Sequence, residues 1–558
     1  MGDIFDNNRN SIAALMLAYL GAMLVCFRAQ ILSGFDLGFG DRVDGLIEIS
    51  ILEHWRNVLS GAAAWNATGY FYPHADTLGY NDGYFLFGLV YSVWRLAFDP
   101  YLSDTLNIAT FKTLGFFSAY TLVTRSLRWE RPVGLLVAVL FTICSGMAVQ
   151  AVHAQLQSIA LLPGLAMLVI GALRTQHARL YGVAAAAMIG AWLMTAFYLA
   201  WFALFFAAIF AACWLVTTRQ ATARAIAALA RAHLGLLITA GVAVSACALP
   251  FLAVYLPKVG ETGGHHYIDV LGYLVTPLDP INVGPDNYVW GWIFRALWVA
   301  ITWVVPGHPE LARQMLGNEH ESGFALLLFV LIAGSAYRVL GRGAHRQDPL
   351  LRALALALVV SWALTLQLWW LSPWGLIYEL VPGAKGLRVV LRYQIFLVLP
   401  ALLLVAAVHR RQGMDLMRRR PRLAAALALL LVAEQLTGAD SAQLSRARQI
   451  AELGSIPRPP EACSSFYVAS ARPGEQIYRN PTHHAIRAHN VDAMILAERW
   501  RVPTLNGYAT FRPADWDFAR PLAPDYDARA LRYVRAHALH GVCRLDMRQL
   551  QLWRMAMR

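Results

Sequence analysis

Over its first three-quarters the chain alternates between long apolar runs and short polar stretches. Candidate runs cover residues 11–32, 103–124, 132–150, 155–173, 180–196, 198–217, 233–256, 322–340, 351–371, 388–408 and 422–437. A helix needs about 20 apolar residues to cross about 30 Å of hydrocarbon, so the pattern predicts eleven membrane-spanning helices. A further apolar segment, 84–98, is shorter and is interrupted by Arg95. It is expected to be re-entrant or interfacial. After about residue 438 the pattern changes: short apolar segments such as Phe466-Tyr467-Val468 alternate with prolines and with an aromatic run, Tyr508–Trp516. This predicts a compact α/β domain over 438–558, following a membrane domain over 1–437.

Composition fits that division. Of 558 residues, 58% are hydrophobic and 15% charged, outside the profile of a soluble globular protein. The run 11–32 is too long for the core of a signal peptide and no small-residue cleavage site follows it, so it is expected to stay as an anchor. The net charge of +13 raises the question of nucleic acid. The arginines, however, sit between apolar runs rather than in a basic stripe, and no nucleic-acid partner is expected. They form five groups: Arg125/Arg128/Arg131, Arg174/Arg179, Arg219/Arg224/Arg231, Arg338/Arg342/Arg346/Arg352 and Arg410/Arg411/Arg418/Arg419/Arg420/Arg422. With eleven spans all five fall on one side, which the excess of arginine in cytoplasmic loops makes the inner one. The N-terminus is then cytoplasmic. Loop 33–102, the stretch near Gln150–Gln155, loop 257–321, loop 372–387 and the C-terminal domain face outward, in a bacterial inner membrane toward the periplasm.

Loop 33–83 carries more chemistry than a connection requires. It contains Gly40-Asp41-Arg42-Val43-Asp44-Gly45, Glu48, Glu53-His54-Trp55, Phe71-Tyr72-Pro73-His74-Ala75-Asp76 and Asn81-Asp82-Gly83. Ile47, Ile51, Trp55 and Val58 are spaced as on one helical face. This predicts an amphipathic helix over 44–59 lying on the membrane, with Asp44 near its N-cap. Asp44 and Glu48 would share a face and Asp41 would lie one turn earlier, so three carboxylates are expected to converge. Such a site can supply a general base or, through hard oxygen ligands, hold Mg or Mn. Asp41 and Asp44 are the candidate bases, and Glu48 is a candidate ligand or orienting group.

Cations are placed to meet an anion. Pro382-Gly383-Ala384-Lys385-Gly386-Leu387-Arg388 leads into a span carrying Arg392. A glycine-rich approach to a helix N-terminus with Lys385, Arg388 and Arg392 suits a phosphate. Arg392 stands deeper in the apolar run, where an unpaired charge is costly. His54, His74, Asp82, His153, His265, His266 and Tyr508 are further candidates for contacts with substrate, and Phe511 and Trp516 for stacking on an acceptor. Lys112 falls inside a span and needs a partner that the sequence does not name. The C-terminal domain holds two of six cysteines, Cys463 and Cys543, and on an oxidising side these are expected to pair.

Gly40-Asp41 after the first span, Phe71-Tyr72-Pro73 followed by Thr77-Leu78 and Asn81-Asp82, Arg388 with Arg392, and Pro503-Thr504-Leu505-Asn506-Gly507-Tyr508 together resemble the GT-C superfamily of membrane glycosyltransferases. The local likeness is to bacterial members of the YfhO type and the protein-mannosyltransferase type. The resemblance implies a polytopic helical fold with an outer C-terminal domain and a polyprenyl-phosphate-linked sugar as donor. It also implies a glycan, lipid or protein acceptor, and a first-loop acid as base, on Asp41 or else Asp44. The adjacent Asp-Glu pair of the mannosyltransferases is absent from this loop. A lipid-linked-sugar flippase and a non-catalytic subunit of an envelope-polysaccharide assembly are the alternatives.

Overall fold

A computed structural model describes residues 8–218, 222–341, 348–438, 444–470, 472, 481–549 and 552–557. Helices occupy every apolar run read from the sequence. They are α1 (Asn8–Cys26), α2 (Asp44–Leu59), α3 (Phe85–Trp94), α4 (Pro100–Thr121), α5 (Arg131–Thr142), α6 (Leu162–Arg174), α7 (Ala178–Leu193) and α8 (Phe197–Thr217). The series continues with α9 (Leu234–Thr262), α10 (Gly291–Val304), α11 (Leu326–Leu340), α12 (Pro349–Thr365), α13 (Tyr393–Arg419) and α14 (Pro421–Ala433).

Among the described residues five helical stretches are each long and apolar enough to cross a membrane: 131–149, 154–174, 197–217, 234–262 and 390–419. α1, α7, α12 and α14 are shorter apolar helices. α9 exposes Leu237, Ile238, Val242, Leu249, Leu252, Leu256 and Val259, which a lipid environment would cover. The result is a multi-pass membrane protein.

Described members of three arginine groups lie beside one another at one end of the bundle. Arg174 donates to the Ser126 carbonyl at 3.2 Å, Arg410 to Glu130 at 3.2 Å, and Thr217 to the Pro349 carbonyl at 3.3 Å. A groove of about 800 Å³ opens at this end beside Arg125, Arg128 and Arg174. Arg219, Arg342 and Arg346 lie outside the described residues. Lys112 finds its partner inside the bundle, donating to the Thr142 carbonyl at 3.0 Å.

Segment 84–98 forms α3, whose ten residues rise only about 15 Å, too little to span. Gly88 lets it lie directly on α2: a Cβ there would stand 2.4 Å from the Trp55 ring. Arg95 is neutralised by Glu53 at 2.5 Å, and Tyr91 donates to the same carboxylate at 2.6 Å. One apolar helix escaped the sequence reading. α10, inside the long loop, exposes Trp292, Val299, Trp303 and Val304, as an interfacial helix would.

Residues beyond 444 build a three-stranded sheet. β3 (Ser465–Val468) runs parallel to β4 (Val542–Leu545), and β4 antiparallel to β5 (Trp553–Met557). α15 (Pro481–Trp500) and α16 (Tyr526–Ala536) pack with it. Cys463 and Cys543 are joined by a disulfide. Earlier in the chain, β1 (Leu37–Gly38) pairs antiparallel with β2 (Leu444–Ser445).

The helix over 44–59 forms, but not as an element on the membrane surface. Leu46 through Trp55 are buried without a break, with Asn57. It packs against α3 and α4, with Glu53 and Glu48 turned toward them, while His54 and Asn57 meet the C-terminal unit. Asn57 donates to the Glu498 carboxylate and carbonyl, each at 2.9 Å, and His54 stands 3.6 Å from Glu498. The adjacent loop joins the same unit by backbone pairing: Thr504 N–H to Gly69, Phe71 N–H to Asn506 and Tyr72 N–H to Thr504.

Candidate active site

The first loop turns sharply into α2. Gly40 has φ +78°, and a Cβ on it would stand 2.8 Å from the Gly45 Cα, so two glycines permit this close turn. Asp41 Oδ1 then accepts the amides of Val43 and Asp44, each at 2.7 Å. This carboxylate caps the start of α2, the role expected of Asp44. Asp44 faces His153, with Oδ2 3.6 Å from Nδ1.

His153 links two loops. Its Nε2 stands 3.3 Å from Glu319 Oε1. Glu319 in turn takes a two-point contact from Arg392, with Nη2 to Oε1 at 2.5 Å and Nε to Oε2 at 3.1 Å. Arg392 is buried and lies over the Tyr198 ring, 5.6 Å from its centre. Burial alone would raise the Glu319 pKa, but the charges of Arg392 and His153 hold it below the ordinary carboxylate value.

Asp82 completes the cluster. Its Oδ1 accepts the Phe197 amide at 3.0 Å. Desolvation pushes its pKa up to about 6, against the opposing effect of that amide, Arg392 and His153. Tyr84 donates to Gln155 at 2.9 Å beside it. Five polar groups from four separate loops thus meet at the end of the bundle away from the arginine groups: Asp44, Asp82, His153, Glu319 and Arg392. Sequence reasoning missed Glu319 and Tyr198. Glu319 does stand in an acidic stretch, Glu319-His320-Glu321, immediately before a span, and that placement was its available signal.

Other candidates lie elsewhere. Glu48 turns into the protein toward Asp104; burial, then the Asp104 charge, holds its pKa well above the ordinary value. Asp41, Asp44 and Glu48 therefore do not converge on one ion, and no step is assigned to Mg or Mn there.

The three cations also separate. Lys385 pairs with Glu379 at 2.8 Å, and exposed Arg388 lies over the Tyr273 ring at 5.5 Å. The backbone amides that looked free for phosphate are taken up, since those of Arg388 and Val389 both donate to the Tyr198 hydroxyl.

The histidines have structural surroundings. His54 is enclosed; burial opposes its protonation, but Glu498 outweighs this and raises its pKa. His265 stacks on Phe511 at 4.7 Å, and burial with the Arg388 charge lowers its pKa to about 4. His266 precedes the short helix Tyr267–Leu271. His74 faces Asp515 and His537. Of the aromatics expected to stack on an acceptor, Trp516 is buried against Phe71, and Tyr508 and Phe511 pack against the same core.

No family model and no curated protein matches this chain. Solved structures do. An archaeal oligosaccharyltransferase, AglB from Archaeoglobus fulgidus, in complex with an inhibitory peptide and a dolichol-phosphate, aligns with 97% of this chain and 70% of its own at 13% identity, TM-score 0.47. The Archaeoglobus fulgidus oligosaccharyltransferase in complex with Zn and sulfate aligns with 88% of this chain at 12% identity, TM-score 0.43. ArnT from Cupriavidus metallidurans, bound to undecaprenyl phosphate, aligns with 88% of this chain and 85% of its own at 15% identity, TM-score 0.38. The chain aligns with these structures at 12–15% identity and TM-scores of 0.38–0.47. It spans 62% of the length of the zinc-bound oligosaccharyltransferase.

Proposed function

We propose that the chain is a glycosyltransferase that moves a sugar from a polyprenyl-phosphate carrier to a glycan, lipid or protein acceptor at the outer face of the bacterial inner membrane. The supporting observation is the meeting of Asp44 with the Arg392–Glu319 pair through His153. Asp44 and the buried Arg392 thus share one polar site through His153 and Glu319, which supports reading Asp44 as the base. Asp44 takes the proton of the acceptor hydroxyl as that oxygen attacks the anomeric carbon in line, with inversion. The bond from the anomeric carbon to the phosphate oxygen breaks, and the lipid phosphate leaves with the electron pair. Arg388, exposed on the approach to α13, meets that phosphate. Arg392 fixes Glu319, and Glu319 orients His153 against Asp44. Asp41 supports the turn rather than the proton transfer.

The test uses the full-length protein and a panel of radiolabelled undecaprenyl-phosphate sugars. Asp44→Asn is expected to lower transfer by about 100-fold or more, the usual contribution of a positioned base, with the thermal midpoint unchanged. Transfer by Asp44→Asn at the wild-type rate would overturn the assignment. Movement of intact lipid-linked sugar across vesicles without cleavage would establish the flippase instead.

A further inference from the structure

We propose that His74, Asp515 and His537 form a binding site for a divalent transition-metal ion, zinc foremost, that clamps the first outer loop to the C-terminal unit. This site is separate from the Asp44 cluster and does not depend on the glycosyl-transfer reading.

The three residues come from different parts of the chain. His74 follows the turn Phe71-Tyr72-Pro73, Asp515 stands beside buried Trp516, and His537 ends α16. His74 Nε2 lies 3.1 Å from Asp515 Oδ1, and His537 Nε2 lies 2.7 Å from Asp515 Oδ2. One donor atom from each residue falls within 4.8 Å of the other two. Zinc bound at about 2.0–2.2 Å to nitrogen and oxygen needs its ligand atoms gathered in this way.

His74 Nε2 is buried and, although close to Asp515, makes no well-formed hydrogen bond. A buried ring nitrogen aimed at a carboxylate without bonding it needs another partner, and an ion between the two supplies one. Asp515 remains half exposed, leaving an entry path and a fourth position.

The surroundings fix the ligands before an ion arrives. The Tyr533 hydroxyl donates to the Tyr72 carbonyl at 3.2 Å, and the His74 amide donates to Phe71 at 2.9 Å. The Tyr533 ring lies against His537 at 4.4 Å. Two imidazoles with one carboxylate suit zinc, and related ions, better than the all-oxygen ions Mg and Mn. Binding replaces the His537–Asp515 hydrogen bond, 2.7 Å in this structure, with bonds from both side chains to the ion.

The experiment strips the purified full-length protein with chelator, dialyses it against zinc chloride, and counts zinc per chain. Wild type is expected to retain one more zinc than the His74→Asn/His537→Asn double variant. Zinc is also expected to raise the thermal midpoint of wild type alone, since binding to the folded form stabilises it. Equal zinc content in the two proteins would overturn the proposal. A second variant covers the case in which the double variant does not fold. His74→Cys loaded with cobalt(II) should show a sulfur-to-metal charge-transfer band that wild type lacks. Absence of that band in folded His74→Cys would equally overturn it.

Discussion

Asp82 and Glu319 are acids in one cluster pushed in opposite directions. Asp82 has lost water without gaining a close cation, and its pKa rises from 3.8 to about 6. Below about pH 4 both folded and unfolded chains hold this proton. Between about pH 4 and 6 the unfolded chain releases it and the folded one keeps it, so stability falls as pH rises, then levels off. Asp82→Asn is therefore expected to remove one downward step: its thermal midpoint should gain on wild type between about pH 4 and about pH 7. A constant difference across that range would show that Asp82 titrates normally. Glu319 is the reverse case, held charged by Arg392. Glu319→Gln leaves a buried guanidinium without its counter-charge, an effect of about 3 kcal/mol or more, read as a lowered thermal midpoint. Adding Arg392→Met should recover part of that loss, because the orphaned charge is then gone; no recovery would mean the pair is not the cause. The sequence identified Arg392, since a cation inside an apolar run must have a reason. Glu319 stands in an acidic stretch just before a span, but the sequence could not pair it with Arg392, which lies 73 residues away.

At the scale of elements, α2 shows what periodicity can and cannot carry. The spacing of Ile47, Ile51, Trp55 and Val58 gave a helix over 44–59, and Asp44–Leu59 is what forms. Periodicity says which side of a helix is polar but not what the polar side meets. An amphipathic helix on the membrane surface follows from that spacing alone, without the partners of its polar residues. In the fold Glu53 holds Arg95, while His54 and Asn57 hold Glu498. The same gap misplaced the cap, since two acids three residues apart are both plausible and only the Gly40–Gly45 turn decides between them. If Asp41 is the cap, Asp41→Ala should cost about 1 kcal/mol of stability while Asp41→Asn, itself a good cap, costs little. Transfer by Asp41→Asn should stay near wild type. A collapse of transfer in Asp41→Asn with stability intact would return the base to Asp41.

For the whole molecule, the consequence is that the outer loop and the C-terminal unit fold as partners. Alternating apolar runs and arginines made the membrane helices readable because each helix carries its own signal. The change of pattern near residue 438 precedes the residues that build the sheet β3–β4–β5 and the helices α15 and α16. The contact surface of loop and unit gave no such signal, because it consists of single polar residues and backbone pairs drawn from both. Removing residues 438–558 would strip Glu498 from His54, Asn57 and the Gly69 amide, whose contact with that carboxylate is 2.7 Å. It would also take away the backbone partners of Phe71 and Tyr72. Buried polar groups left unpaired cost about 1–3 kcal/mol each, more than a loop of this kind can absorb. A chain ended at residue 437 should therefore keep its membrane helices but lose the order of loop 33–83. Limited proteolysis in detergent would show it as early cleavage between residues 60 and 83, with the segments joining the later helices as resistant as before. Equal resistance of that loop in the shortened and full-length chains would mean that the membrane helices alone hold it, and that the C-terminal unit is an appendage rather than part of the site's support.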